Sequence, residues 1–222
     1  LIEVATPEQD GKYALKALND LCKGKKIDSL FLPSGLIDTP TGGELNVKNL
    51  GPLMASLLPE DTIISNESGT SGFIFASYVW DAKPCDWLSI TGGSIGQGIP
   101  VATGAAVAAP DRPVVCLQGD GGAMYTSQAL WTQAREGLNV TNIIFSNKSY
   151  AILQVELERV GALETGDRAN SMLSMDNPEI DWVSLSKSLG VPAKRTVTVE
   201  EFHKAFTDGL VSEGPSLIEI VV

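Results

Sequence analysis

Apolar and polar positions form short blocks whose period changes along the chain. Compact apolar runs with the composition of buried strands alternate with segments whose apolar residues recur every three or four positions, as on one face of a helix. From residue 61 onward this alternation predicts an α/β fold with three layers, a mostly parallel sheet between helices. The predicted strands are 62–66, 87–90, 113–118, 139–147 and 216–222.

The same pattern divides the chain into two parts. Residues 25–45 are rich in Pro, Gly, Thr and Asp and are typical of a linker. We therefore expect 1–45 to be a helical remnant and linker from a preceding domain, and 46–222 to be the main domain. The first residue is Leu, which suggests a fragment of a longer protein. The predicted helices are 8–23, 46–58, 71–80, 100–109, 123–136, 180–190 and 200–210.

Composition excludes several classes of function. The formal net charge is −11 and no cluster of Lys and Arg occurs, which argues against a nucleic-acid or anionic-membrane surface. No apolar run approaches the length of a membrane span, and no signal peptide is present. The three cysteines have no metal-ligand spacing and are expected to be reduced thiols. These features predict a cytoplasmic protein.

Candidate chemistry is concentrated between Pro113 and Tyr150. An apolar strand ends in a Gly-Asp-Gly-Gly turn at 119–122, a helix follows, and the next strand ends near Asn147. A right-handed crossover brings both strand ends to the carboxyl edge of the sheet, where open α/β folds bind ligands. Asp120 and Asn147 would then supply hard oxygen ligands suited to Mg²⁺, and the glycines would let backbone N–H groups approach a phosphate.

This segment resembles the motif of the thiamine-diphosphate enzymes, in which Gly-Asp-Gly is followed after about 25 residues by Asn. Here 25 residues separate Gly121 from Asn147. The stretch 61–222 resembles the C-terminal diphosphate-binding domain of the acetolactate synthase, pyruvate oxidase and benzoylformate decarboxylase group. The resemblance implies that Asp120 and Asn147 bind Mg²⁺ through their side chains and that Ser149 binds it through its backbone carbonyl.

Two further segments resemble the same family. In the run 91–96, Ile95 occupies the position of the aliphatic residue that props the bent cofactor, and the Gly93 carbonyl would accept from the aminopyrimidine. In the run 66–70, Gly69 and Thr70 would contact the diphosphate. The resemblance also assigns cofactor contacts to Gly121, Gly122, Asn147 and Tyr150, and a place in the substrate pocket to Ile152.

By this resemblance the chain is the cofactor-binding part of a decarboxylase or carboligase acting on a small 2-oxo acid, similar to acetolactate synthase. The glutamate that activates the cofactor would come from a pyrimidine-binding domain in the same or another subunit. No catalytic residue is identified in this chain, which we expect to be inactive alone. A homo-oligomer, dimer or tetramer, is expected.

Other interpretations remain open. A non-catalytic module could keep the fold for assembly or regulation, whereas the dinucleotide-binding fingerprint is not matched by the turn at 119–124. Glu67 is either a structural carboxylate that caps the following helix or a residue near the site. His203 is expected at the surface, Leu130 and Trp131 in the core, and Asp81 and Asp86 in solvated loops.

Overall fold

The computed structural model describes residues 6, 8–22, 39–79, 82–162 and 166–222, with the backbone alone at 73 and 74. Contacts divide the chain into two units. The first contains helix α1 (Gly11–Leu21), whose N-cap Asp10 accepts a hydrogen bond from the N–H of Tyr13. Helix α1 lies within the predicted span 8–23, and the greater part of the predicted linker lies outside the described residues.

The second unit contains the sheet and its flanking helices. The strands are β1 (Thr62–Glu67), β2 (Cys85–Ser89), β3 (Val114–Gly119), β4 (Val140–Ser146), β5 (Ala193–Thr196) and β6 (Ser216–Val221). The helices are α2 (Val47–Leu57), α3 (Gly69–Tyr78), α4 (Gly98–Ala108), α5 (Asp120–Thr126), α6 (Ala129–Arg135), α7 (Ala151–Arg159), α8 (Asp167–Leu173), α9 (Trp182–Ser188) and α10 (Val199–Leu210). No helix among the described residues is long and apolar enough to cross a membrane.

The six strands form one parallel sheet in the order β2-β1-β3-β4-β6-β5. The chain passes from β1 to β2 on one side and then returns to β3 on the other. The order therefore reverses between β1 and β3, which is where open α/β sheets bind ligands. The predicted three-layer α/β fold is confirmed. Strand β5 was not predicted, because it is only four residues long and carries two charged residues.

Successive residues of each strand serve opposite faces of the sheet. In β3, Val115 and Leu117 pack with residues of α2, α3 and α10, whereas Val114 and Cys116 pack with residues of α4, α6 and α9. Both faces are covered, as the continuous apolar strands require. Ile143 and Ile144 of β4 repeat the same division.

The compact unit already includes residues before the predicted boundary at 46. Leu45 is 4% exposed and belongs to the core around α2 and α10. Its N–H donates to the Val197 carbonyl at 2.9 Å, beside a bridge between Glu44 and Thr198. The origin of the preceding segment in another domain stays a prediction.

The predicted helix 123–136 is two helices. Helix α5 begins at Asp120 itself and α6 begins at Ala129. Leu130 is fully buried as predicted, but the prediction for Trp131 was wrong: its side chain is 49% exposed, with the Arg135 guanidinium 5.2 Å from the ring centroid. Adjacent residues on a helix point about 100° apart, and α6 turns Leu130 rather than Trp131 toward the core.

Helix α10 is held at its start by a capping box. The Thr198 hydroxyl accepts from the N–H of Glu201, whose carboxylate accepts from the N–H of Thr198. We expect Thr198→Ala to lower the free energy of unfolding by about 1 kcal/mol, because it leaves a helix-start donor unpaired. Urea denaturation would measure the loss. Thr207→Ala, at an exposed position of the same helix, is the control, and equal losses in the two variants would contradict the assignment.

Candidate functional site

A cleft of about 380 Å³ lies at the carboxyl ends of β1, β3 and β4, where the strand order reverses. Its walls come from the loops and helix starts that follow these strands. The lining residues are Glu67, Ser68, Gly69, Thr70, Ser71, Ile90, Ile95, Gly119, Asp120, Gly121, Gly122, Tyr125, Phe145, Asn147, Ser149, Tyr150, Ala151, Ile152, Leu153 and Met172. The topology thus brings three segments of the sequence into one concave site.

Asp120 links the loop after β3 to the loop after β4. Its side chain is almost fully buried, at 4% exposure of the residue. One carboxylate oxygen accepts from the N–H of Gly121 and the other from the N–H of Lys148, each at 2.8 Å. Burial raises the pKa of Asp120, and these hydrogen bonds oppose the rise. A cation bound here would stabilise the charged form.

The loop 147–149 is held in an unusual conformation. Lys148 has φ +55°, in the left-handed region that few side chains adopt. The Asn147 side-chain oxygen accepts from the N–H of Ser149 at 3.0 Å. On the far side, the Lys148 carbonyl accepts from Met175 at 2.7 Å, and the Tyr150 N–H donates to Leu173 at 2.9 Å. The last residue of α8 and the segment that follows it therefore support the loop, a support that the sequence did not reveal.

The oxygen atoms gathered here suit a hard divalent cation. They are a carboxylate, an amide oxygen with a free lone pair, and the backbone carbonyl of Ser149. Within the described residues, no three His, Cys, Asp or Glu side chains form a metal cluster. A set with one carboxylate matches Mg²⁺, which keeps water and phosphate oxygens in its shell, better than it matches zinc.

Three helices, α3, α5 and α7, begin at the cleft without a side-chain cap. Their first N–H groups lack intrahelical partners, and the helix dipole favours an anion there. Gly69 adopts φ +57° at the start of α3 and leaves open space in front of that turn. None of the lining residues is Lys, Arg or His. Backbone N–H groups and a metal ion would therefore have to offset the charge of an anionic ligand.

The cleft contains nearly all residues proposed from the sequence. Gly69, Thr70, Ile95, Asp120, Gly121, Gly122, Asn147, Ser149, Tyr150 and Ile152 line it, and Gly93 does not. The Gly93 carbonyl accepts from the N–H of Ile95 at 2.9 Å. Tyr125 and Met172 were missed; Met172 lies on α8, which has no apolar periodicity from which it could be predicted. His203 and Asp86 are exposed as predicted, but Asp86 lies in strand β2 rather than in a loop, and Asp81 lies outside the described residues.

Glu67 is both structural and part of the cleft. Its carboxylate accepts from the N–H of Gly96 at 2.5 Å and from that of Gly98 at 2.6 Å. It therefore caps the start of α4 rather than α3, the helix that follows it in sequence. Because β1 ends beside the start of α4, this contact joins residues about 30 positions apart and could not be read from local spacing.

Comparison with known proteins identifies the family. Residues 67–220 match the model of the thiamine pyrophosphate enzyme, C-terminal TPP binding domain. The chain is 47% identical over 184 residues to a Mycobacterium tuberculosis protein named "Putative acetolactate synthase large subunit IlvX", covering 82% of this chain and 36% of that protein. It is 31% identical over 193 residues to benzoylformate decarboxylase of Pseudomonas aeruginosa, covering 85% and 35%. The chain belongs to the thiamine pyrophosphate enzymes and contains their C-terminal cofactor-binding domain.

A solved structure shows the same arrangement. The thiamine diphosphate-dependent 4-hydroxybenzoylformate decarboxylase of Rhodococcus jostii RHA1 superposes with a TM-score of 0.71 at 32% identity. The match covers 82% of this chain and 33% of that one. The chain thus spans about a third of the length of the relatives it matches.

Proposed function

We propose that this chain binds thiamine diphosphate through Mg²⁺ and is the cofactor-binding part of an acetolactate synthase-like decarboxylase or carboligase acting on a 2-oxo acid. One observation carries the proposal. The buried carboxylate of Asp120 accepts from the backbone of Lys148, so the loops after β3 and β4 meet at the cleft where three uncapped helices begin. Family membership and the names of the relatives support the class of reaction.

In this proposal, different residues of the cleft bind the metal ion and the diphosphate. Asp120 and Asn147 would bind Mg²⁺ through side-chain oxygens, and Ser149 through its carbonyl. The N–H groups of Gly69, Thr70 and Gly122 would face the diphosphate, whereas the N–H of Gly121 donates to Asp120 and would help to hold that metal ligand in place. When bound, the cofactor would supply the electron sink that 2-oxo acid chemistry needs. The protein contributes position and charge compensation.

The apolar wall of the cleft would receive the rest of the cofactor and the substrate. Ile95 would support the cofactor's bent shape, and the Gly93 carbonyl has a second lone pair for a donor. The Tyr150 ring packs over Gly121, where a Cβ atom would lie 2.9 Å from the ring. Ile152, at the start of α7, would face the substrate and help to keep water out.

A partner must complete the site. Two carboxylates line the cleft: Asp120 is assigned to the metal, and Glu67 holds the backbone N–H groups of Gly96 and Gly98, so neither is assigned to activating the cofactor. The activating group would come from a pyrimidine-binding domain in the same or another subunit, consistent with a dimer or tetramer. Large apolar side chains that a partner could cover lie exposed on α5, α6, α7 and α8: Met124, Tyr125, Trp131, Ile152, Leu153 and Met172.

Cofactor binding tests the proposal directly. We expect thiamine diphosphate with Mg²⁺ to bind the 222-residue chain in a calorimetric titration. At a ligand concentration about 100 times Kd, the stabilisation is about 2.7 kcal/mol, which raises the Tm of a chain of this size by about 5–10 °C. Excess EDTA should remove the effect, because the diphosphate would lose the cation that joins it to Asp120.

Two control ligands separate the parts of the site. Magnesium pyrophosphate should bind through the diphosphate end alone, and thiamine without phosphate should not bind measurably. If neither thiamine diphosphate nor pyrophosphate binds in the presence of Mg²⁺, the assignment is wrong and the non-catalytic module becomes the better interpretation. The chain alone should not decarboxylate a 2-oxo acid such as pyruvate.

A further inference from the structure

In the loop between β2 and α4, both backbone groups of Gly96 are hydrogen-bonded to side chains. The N–H of Gly96 donates to one oxygen of Glu67, and the carbonyl of Gly96 accepts from the Thr126 hydroxyl, each at 2.5 Å. The second oxygen of Glu67 accepts from the N–H of Gly98 at 2.6 Å. One carboxylate from β1 and one hydroxyl from α5 thus clamp the start of α4.

The surroundings of this clamp are closely packed. Gly96 has φ +93°, and a Cβ atom there would lie 2.6 Å from the Cβ atom of Tyr125. A Cβ atom at Gly122 would lie 2.8 Å from a Glu67 oxygen and 2.6 Å from the buried Gln118 amide nitrogen. The carboxylate of Glu67 is therefore enclosed between the first turns of α4 and α5, and the loop follows its position.

The residue that depends on the clamp is Ile95, directly before Gly96. Ile95 lines the cleft, but the residue is 58% exposed, so few side-chain contacts fix its direction. Its orientation is set by the backbone, through the hydrogen bond of its N–H to Gly93 and the clamp at Gly96. Any displacement of Gly96 moves Ile95 relative to Asp120, which lines the same cleft.

We propose that Glu67 and Thr126 are positioning residues that hold Ile95 and the Gly93 carbonyl at the distance from the metal–diphosphate end that the whole cofactor requires. This inference rests on the proposed function. The effect on binding expected from this role is opposite to the effect of a carboxylate that acts only through its charge. A carboxylate acting only by its charge would repel a polyanion, and its removal would tighten binding. A positioning carboxylate weakens binding when it is removed.

The test compares two ligands on the same variants. In Glu67→Gln one N–H loses its acceptor, because an amide has only one oxygen. We expect Kd for thiamine diphosphate with Mg²⁺ to rise at least about 10-fold and Kd for magnesium pyrophosphate, which does not reach Ile95, to change less than about 2-fold. Thr126→Val should shift the thiamine diphosphate affinity in the same direction, and Thr126→Ser, which keeps the hydroxyl, should restore it.

Hydrogen exchange gives a measurement independent of the ligand. In the ligand-free chain, the amides of Gly96 and Gly98 should exchange at least about 10-fold faster in Glu67→Gln than in the wild type. Ser65→Ala is the matched control, because the buried Ser65 hydroxyl donates to the Gly98 carbonyl at 2.8 Å without touching the loop before it. It should lower stability but preserve the ratio of the two affinities.

The possible outcomes separate the two proposals. If the wild type binds neither ligand, the proposed function fails before the clamp is tested by affinity, while exchange still reports on the clamp. If Glu67→Gln and Thr126→Val leave the thiamine diphosphate affinity unchanged or increase it, the positioning role is wrong. The positioning role is also wrong if Ser65→Ala changes the ratio of the two ligand affinities as much as Glu67→Gln and Thr126→Val do. Should Glu67→Gln fail to fold, Thr126→Val and Thr126→Ser decide the question.

Discussion

Replacing Asp120 with Ala is expected to weaken magnesium-dependent binding of thiamine diphosphate at least about 100-fold, equivalent to about 2.8 kcal/mol. The carboxylate is the single charged group in the proposed metal set, and no Lys, Arg or His lines the cleft to replace the lost cation. Burial raises the pKa of Asp120, whereas the hydrogen bonds from Gly121 and Lys148 oppose the rise, and Ala removes these hydrogen bonds as well as the charge. We therefore expect the ligand-free variant to remain folded at reduced stability.

Isothermal titration calorimetry of wild type and variant would measure the change, with far-UV circular dichroism as the check on folding. Asp86→Ala is the matched control, since the Asp86 side chain is 61% exposed on the edge strand β2 and pairs with Arg112 outside the cleft. It should bind both thiamine diphosphate and magnesium pyrophosphate as the wild type does. Retention of magnesium-dependent affinity within about threefold by Asp120→Ala would exclude this carboxylate as the metal ligand.

Arg195→Ala is expected to lower the free energy of unfolding by about 3 kcal/mol, the largest loss among the stability variants proposed here. Glu219 of β6 is fully buried at 0% exposure, and both of its oxygens accept from Arg195, at 2.8 and 3.3 Å. The bond to Glu219 raises the pKa of Arg195. Removal of the guanidinium leaves a carboxylate in the sheet without a cationic partner. The Arg195 side chain is 41% exposed, so partial access of water keeps the loss at the lower end of the range for buried pairs.

Urea denaturation of single and double variants would identify the cause of that loss. Adding Glu219→Gln should recover part of the loss at neutral pH. Arg135→Ala removes an exposed pair with Glu136 and should change stability by less than about 1 kcal/mol. A double variant that is no more stable than Arg195→Ala would contradict this explanation.

The central geometry of the site could be predicted because it follows from topology. Two parallel strands joined by one crossover place their carboxyl ends side by side, and Asp120 and Asn147 stand at those ends. The positions of Asp120 and Asn147 after two successive apolar runs, and the helix between those runs, can be recognised in the sequence. The fold class follows for the same reason, because apolar runs such as that of β4 are buried on both faces.

The remaining features depend on contacts that have no local signature. Glu67 caps a helix that begins 31 positions later, and nothing near it in the sequence distinguishes that contact from a cap on α3. The support of the loop at Lys148 by Met175 comes from a segment whose helix lacks an apolar face. Trp131 was assigned to the core, but on α6 it is Leu130 and Gln133 that are buried, and Trp131 is 49% exposed. Tertiary packing decided each of these cases.

The position of β6 determines when the domain can be assembled. This strand lies between β4 and β5, although it is synthesised after both. While the ribosome is still translating residues before Ser216, one edge of β4 and the inner edge of β5 have no neighbour, and such open edges invite association with other chains. Native assembly must therefore follow translation of almost the whole domain. A nascent chain halted before this strand would leave those edges of β4 and β5 unpaired.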